Sequence, residues 1–229
     1  MKERPILFNG VPIAGRMPLF TLEMRQVIRD LRKTQTRRVI KPRLKHVGRK
    51  CYPGDQYWVG AHPGGGWWAV DSPDGPPEWM QEDQRLRERE GFPCPYGVPG
   101  DLRVMREPLM RGADGFACYQ DDGALVISLI TGEPISWRWK RDILTSIHMP
   151  SEAGRTACVY EDIRAERVQD ISVTDIKAEG VQANAFLGEH HEQVLRQKMT
   201  DLWDSINATR GYSWTDNLWV WVILFVVRE

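Results

Sequence analysis

Residues 32–38, Arg-Lys-Thr-Gln-Thr-Arg-Arg, set Lys33 beside Thr34 and Thr36 in a strongly basic surround. A lysine next to a hydroxyl group is one way to activate a weak nucleophile. The same charges can equally be solvated groups closing a helix, where cations are favoured at the C-terminus. Glu179 is a second candidate. Ser172 and Asp175 form a capping-box-like start, and Gly180 ends the short helix that follows. Glu179 is then the last helical residue, where the negative end of the helix dipole disfavours a carboxylate and suits it to proton transfer. A solvated surface glutamate is the alternative. His148, in Ser146-Ile147-His148-Met149-Pro150, reads as a hydrogen-bonded structural histidine or a proton-transfer group. Trp67 and Trp68 follow Gly64-Gly65-Gly66 and could stack on a base or pack their own segment.

The elements that must position these groups follow from periodicity. Pro5 to Phe8 is a short strand ended by Asn9-Gly10. Met24, Val27, Ile28 and Leu31 fall on one face of a helix over 22–31, with Thr21 as N-cap. A β-prone run starts at Val39-Ile40, so the basic motif lies where a helix hands over to a strand. Residues 51–95 are rich in Gly, Pro and Trp and read as an irregular insertion, with a solvated helix at Gln81–Glu90. A strand is expected at Leu102–Glu107, a hairpin at Tyr119–Ile130 turning at Asp121-Asp122-Gly123, and one or two strands at Thr156–Val168. A helix over about 190–206 precedes Leu218–Val227, a strand apolar on both faces and hence central. This mostly β pattern with flanking helices argues an α+β fold around a small curved sheet or barrel.

Lys plus Arg and Asp plus Glu are both 31, so net charge identifies no partner. Its distribution is uneven: eleven Lys/Arg face a single acid, Asp30, between Arg25 and Lys50. Such a patch suits a local anionic ligand or, equally, a solvated face. The four cysteines show no C-x-x-C pairing, which argues against a zinc site and for reduced thiols. The N-terminus has no apolar signal-peptide core, and the most apolar run is shorter than the ~20 residues that span a bilayer. A cytoplasmic protein without a membrane partner is the expectation.

Several segments together resemble phage and prophage proteins of the ASCH superfamily. They are residues 2–8, the helix leading into residues 32–42, Pro95-Tyr96-Gly97-Val98-Pro99-Gly100-Asp101, Ser146–Pro150, Val168–Ser172, Ala178-Glu179-Gly180-Val181, and Leu202–Asn207 with Asn217–Val222. They run in order from end to end, leaving out mainly 51–93 and 182–192. The resemblance implies one ASCH domain of PUA-like β-barrel fold over 1–229, with an insertion at about 51–95. Small bacterial members of that superfamily remove the acetyl group from N4-acetylcytidine, using a lysine and a threonine of a K-T-x-T stretch and a later glutamate. The implied catalytic residues here are Lys33, Thr36 and Glu179, with no cofactor and no metal. Arg32, Thr34, Arg37, Arg38, Trp67, Trp68, Tyr96 and His148 are the implied substrate-binding groups. In that chemistry Thr36 attacks the acyl carbonyl or positions water, and Lys33 takes the proton once its pKa falls well below ~10.4. Desolvation, Arg32, Arg37 and Arg38 push it that way. Glu179 protonates the leaving nitrogen or orients Lys33. Residues 33 and 36 would face opposite sides of a regular strand, so their convergence requires a turn at Thr34-Gln35. Two other functions follow from the same resemblance: a reader of RNA or modified nucleotides without turnover, and a ribonuclease using His148 or Lys33. The nucleoside or RNA ligand is common to all three.

Overall fold

The computed structural model describes residues 5–40, 57–61, 67–71, 92–183 and 190–228, with backbone alone at 57–61, 67–71 and 92–93. The fold is mixed α+β, with several sheets and few helices. The chain divides into two compact units: Met1–Leu31, Gly100–Glu161 and Phe225–Glu229 form one, and Arg32–Pro99 with Asp162–Leu224 form the other. No helix among the described residues is long and apolar enough to cross a membrane.

In the first unit, β1 (Leu7–Phe8) and β2 (Val11–Pro12) form a hairpin. Asn9 and Gly10 close it with φ of 47° and 80°, the left-handed pair that a tight two-residue turn requires. β3 (Gly15–Arg16) pairs with β8 (Leu102–Val104), which pairs in turn with β12 (Ala157–Arg167). Helix α1 (Leu22–Arg29) begins where Thr21 Oγ1 accepts from the Met24 N–H at 3.3 Å. It ends two residues earlier than its apolar spacing suggests. Leu31 takes a φ of 59° and is exposed, while Arg25 is buried in an ion pair with Asp121 at 2.7 Å.

β9 (Leu109–Arg111), β10 (Ala117–Tyr119) and β11 (Ile143–Leu144) make a three-stranded sheet around Leu109, Tyr119, Val126 and Met149, with Trp137 and Trp139 packed on it. The turn at 121–123 forms, with Gly123 at a φ of 73°. The expected second hairpin arm does not: 124–130 makes only isolated bridges, Cys118↔Leu125 and Ile127↔Pro134. Pro134 opposite that run has no N–H to extend a ladder.

In the second unit, β4 (Gln35–Val39) pairs antiparallel with β13 (Trp219–Arg228), from Val39↔Val220 to Gln35↔Leu224. β13 is buried on both faces from Val220 to Ile223, as expected of a central strand. Helices α2 (Val173–Ala178) and α3 (His191–Asn207) cover one face through Ile176, Leu195, Met199 and Trp203, which pack with Val220 and Val222. No sheet among the described residues closes into a barrel. Within the 51–95 segment the described residues are more regular than the surrounding Gly and Pro suggest. β5 (Tyr57–Ala61), β6 (Trp67–Asp71) and β7 (Phe92–Pro93) pair in it as a three-stranded sheet. The aromatic and β-branched content of its strands outweighs the flanking breakers. The basic run after Ile40 and the 81–90 segment lie outside the described residues.

Candidate active site

The motif enters the second unit in irregular backbone at residues 32–34 and becomes strand at Gln35, four residues before the β-prone run that starts at Val39. The N–H of Thr34 donates to the Ala178 carbonyl at 2.9 Å, which pins the motif to the C-terminal end of α2. Ser172 caps the other end of α2, accepting from the Asp175 N–H at 3.1 Å, and Gly180 leaves the helix at a φ of 88°. This short helix therefore presents Glu179 to the motif.

Lys33 and Glu179 meet there. Lys33 Nζ donates to Glu179 Oε2 at 2.5 Å and to the Glu179 carbonyl at 3.0 Å. Their side chains are 1% and 6% exposed. The ammonium thus sits on a helix C-terminus, where a cation is favoured, and beside a carboxylate. Burial nevertheless pushes Lys33 below its ordinary pKa; Glu179 opposes the shift, and Arg38 and Arg37 add to it.

Arg37 takes the other carboxylate oxygen, donating from Nη1 to Glu179 Oε1 at 3.3 Å. Its Nη2 reaches Glu166 at 3.1 Å and Asp175 at 3.4 Å. Gln35 lies between, its amide nitrogen donating to Asp175 at 2.9 Å and its oxygen accepting from Arg37. Arg164 completes the group, bonded to Glu166 and to Asp175. Three cations thus meet three carboxylates. Burial works against the Asp175 carboxylate, but Ser172, Arg37 and Arg164 outweigh it and hold its pKa below the ordinary range.

Lys33, Gln35 and Arg37 share this face with the period of two expected of extended chain. Thr36 lies on the opposite face of β4, where its partner in the ladder is Ile223 and its neighbour at Arg38 opposes Trp221. It is buried, at 4% exposure. The Arg38 charge acts on both Lys33 and Tyr96. Burial pushes the Tyr96 phenol up and Arg38 partly offsets this, so the phenol keeps its proton at neutral pH. Arg32 and Thr34 are exposed at the rim.

No known family, curated protein or solved structure matches this chain.

The remaining expected residues divide cleanly. His148 is exposed on a turn of 3₁₀ helix (Ser146–His148) in the first unit. Trp67 and Trp68 lie on β6 opposite Ala61 and Gly60, and their side chains are outside the described set. Arg164, Glu166 and Gln35 had no place in the sequence-based site, and Asp175 appeared only as a helix cap. A signal for two of them existed: Asp162, Arg164 and Glu166 alternate along a strand, which lines charge on one face.

Proposed function

We propose that this chain is an ASCH domain of PUA-like fold that hydrolyses the amide of N4-acylated cytosine nucleosides such as N4-acetylcytidine. The observation that carries this reading is the buried Lys33–Glu179 pair. The lysine of a K-T-x-T stretch and the glutamate of an Ala-Glu-Gly segment are 146 positions apart and share a 2.5 Å hydrogen bond. A lysine depressed by burial and neighbouring cations is the kind of base that amide hydrolysis needs near neutral pH.

In this mechanism the hydroxyl proton of Thr36, which lies on the other face of β4, passes through a bound water around the start of the strand to unprotonated Lys33 as Oγ1 bonds to the acyl carbon. The tetrahedral intermediate expels N4, which takes a proton through the Lys33–Glu179 pair and leaves as the cytosine amino group. Water then adds to the acyl-threonine ester with Lys33 again accepting the proton, and the carboxylic acid departs with Thr36 restored. Arg38 and Tyr96 supply donors for the oxyanion. Arg32 and Thr34 at the rim contact the sugar or base. Only side chains and water take part in these steps.

The test compares wild type with Lys33→Ala and Thr36→Ala for conversion of N4-acetylcytidine to cytidine, followed by chromatography. Both variants are expected to lose activity by at least ~100-fold while remaining folded. Retained turnover in either removes that residue from the mechanism. Salt-sensitive RNA binding without turnover would instead identify a nucleic-acid reader.

A further inference from the structure

We infer that Arg37 is a positioning residue for the Lys33–Glu179 pair: anchored by Gln35, Asp175 and Glu166, it takes one oxygen of the Glu179 carboxylate and fixes the other on Lys33. This rests on the hydrolase reading above and assigns a role to a residue that the family resemblance puts among the substrate contacts.

Arg37 cannot serve as a substrate contact in this fold, because its side chain is 1% exposed. Its guanidinium donates to carboxylates from two different elements, Asp175 in α2 with Glu179 at its C-cap, and Glu166 in β12. Gln35 braces both Asp175 and Arg37. Only a planar fork with fixed N–H directions spans such a set, and the flexible lysine ammonium does not. The anchors are themselves held, since Arg164 bonds Glu166 and Asp175. Glu179 therefore has little freedom to rotate. With Oε1 tied to Arg37 at 3.3 Å, Oε2 stays at 2.5 Å from Lys33 Nζ. The charged groups that face Glu179 are Lys33 and Arg37 from the motif and β4, and Asp175 from its own helix. Arg38 from β4, and Arg164 and Glu166 from β12, complete the field around the pair.

Arg37 acts on Lys33 in two ways. Its charge repels the proton on Lys33, and its hydrogen bond fixes which Glu179 oxygen faces that ammonium. Removing the guanidinium removes both effects, so Lys33 holds its proton to higher pH. A base that must first be unprotonated then works over a higher pH range.

The experiment measures kcat and KM for N4-acetylcytidine against pH in wild type, Arg37→Gln and Arg37→Lys. It also titrates the Lys33 ε-amino group by heteronuclear NMR in the same proteins. The expected result for Arg37→Gln is an unchanged KM, a kcat lower by about 100-fold, and an ascending limb displaced upward by on the order of one pH unit. Arg37→Lys keeps the charge without the fork. It should hold the limb within a few tenths of a unit of wild type while losing most of kcat. A lowered kcat with the limb and the Lys33 titration unmoved in Arg37→Gln would overturn the proposal, because a purely structural role predicts that. Should Arg37→Gln not fold, the charge-balanced Arg37→Gln/Asp175→Asn protein gives the same two readouts. If wild type lacks turnover, the hydrolase reading fails. The NMR titration then still decides whether Arg37 controls the pair.

Discussion

Replacing Lys33 by methionine removes a charge and three donors from a site where 1% of the side chain is exposed, with little change in volume. Glu179 is left buried without its 2.5 Å partner. Breaking a buried pair from one side typically costs ~3–5 kcal/mol, because an uncompensated charge remains. Arg37 still holds Glu179 at 3.3 Å, which places the cost near the lower end, about 3 kcal/mol. With m of about 3 kcal/mol per M in urea, the midpoint should fall by about 1 M. The double variant Lys33→Met/Glu179→Met removes both charges and should lose less than Lys33→Met alone. The corresponding coupling energy is of order 0.5–3 kcal/mol. The pH dependence adds an independent check. The folded pKa of Lys33 lies below its ordinary value of 10.5, so between the two the unfolded chain binds a proton that the folded chain has lost. Stability from this group therefore rises with pH through that window, and the rise should vanish in Lys33→Met. Urea melts from neutral pH upward measure both effects. A midpoint within ~0.2 M of wild type, or strictly additive single variants, would refute the claim that this pair is buried and coupled.

Asp175 titrates below its ordinary value of 3.8 when folded, so its contribution is complete above that pH and is lost as pH falls through the folded value. Asp175→Asn should accordingly be less stable than wild type at neutral pH and should lose less on acidification, read as thermal midpoints in an acid series. Gly154→Ala should destabilise by about 1–3 kcal/mol, since an added Cβ would lie 2.7 Å from the buried Val104 side chain. Denaturant melts of that variant should therefore shift without any effect on Lys33.

The site was legible in sequence where chemistry and local structure coincide. The Thr21 cap, the Ser172–Gly180 helix that delivers Glu179, and the doubly apolar β13 were all visible in residue types and spacing. Lys33 and Glu179 were paired only through the family resemblance, because no local pattern joins positions so far apart. Their neighbours were hidden for another reason. Arg37 reads as one more surface cation in a basic run, and its burial depends on carboxylates contributed by α2 and β12. The face of β4 that Thr36 occupies was fixed by parity once the strand was known to start at Gln35, but the sequence suggested a later start. Charged residues in β4 masked its strand character, and pairing with β13 overrode their weak local preference. The same override operates at Tyr57–Ala61 and Trp67–Asp71, where Gly and Pro in the sequence concealed short strands.

The most direct measurement of the central claim is release of acetate and cytidine from N4-acetylcytidine by the wild-type protein, across neutral to alkaline pH and with no added cofactor. Catalytic turnover in equal molar amounts of both products, rising with pH as Lys33 loses its proton, is the predicted result. Absence of turnover across a series of N4-acyl groups, from protein that melts cooperatively, would contradict it.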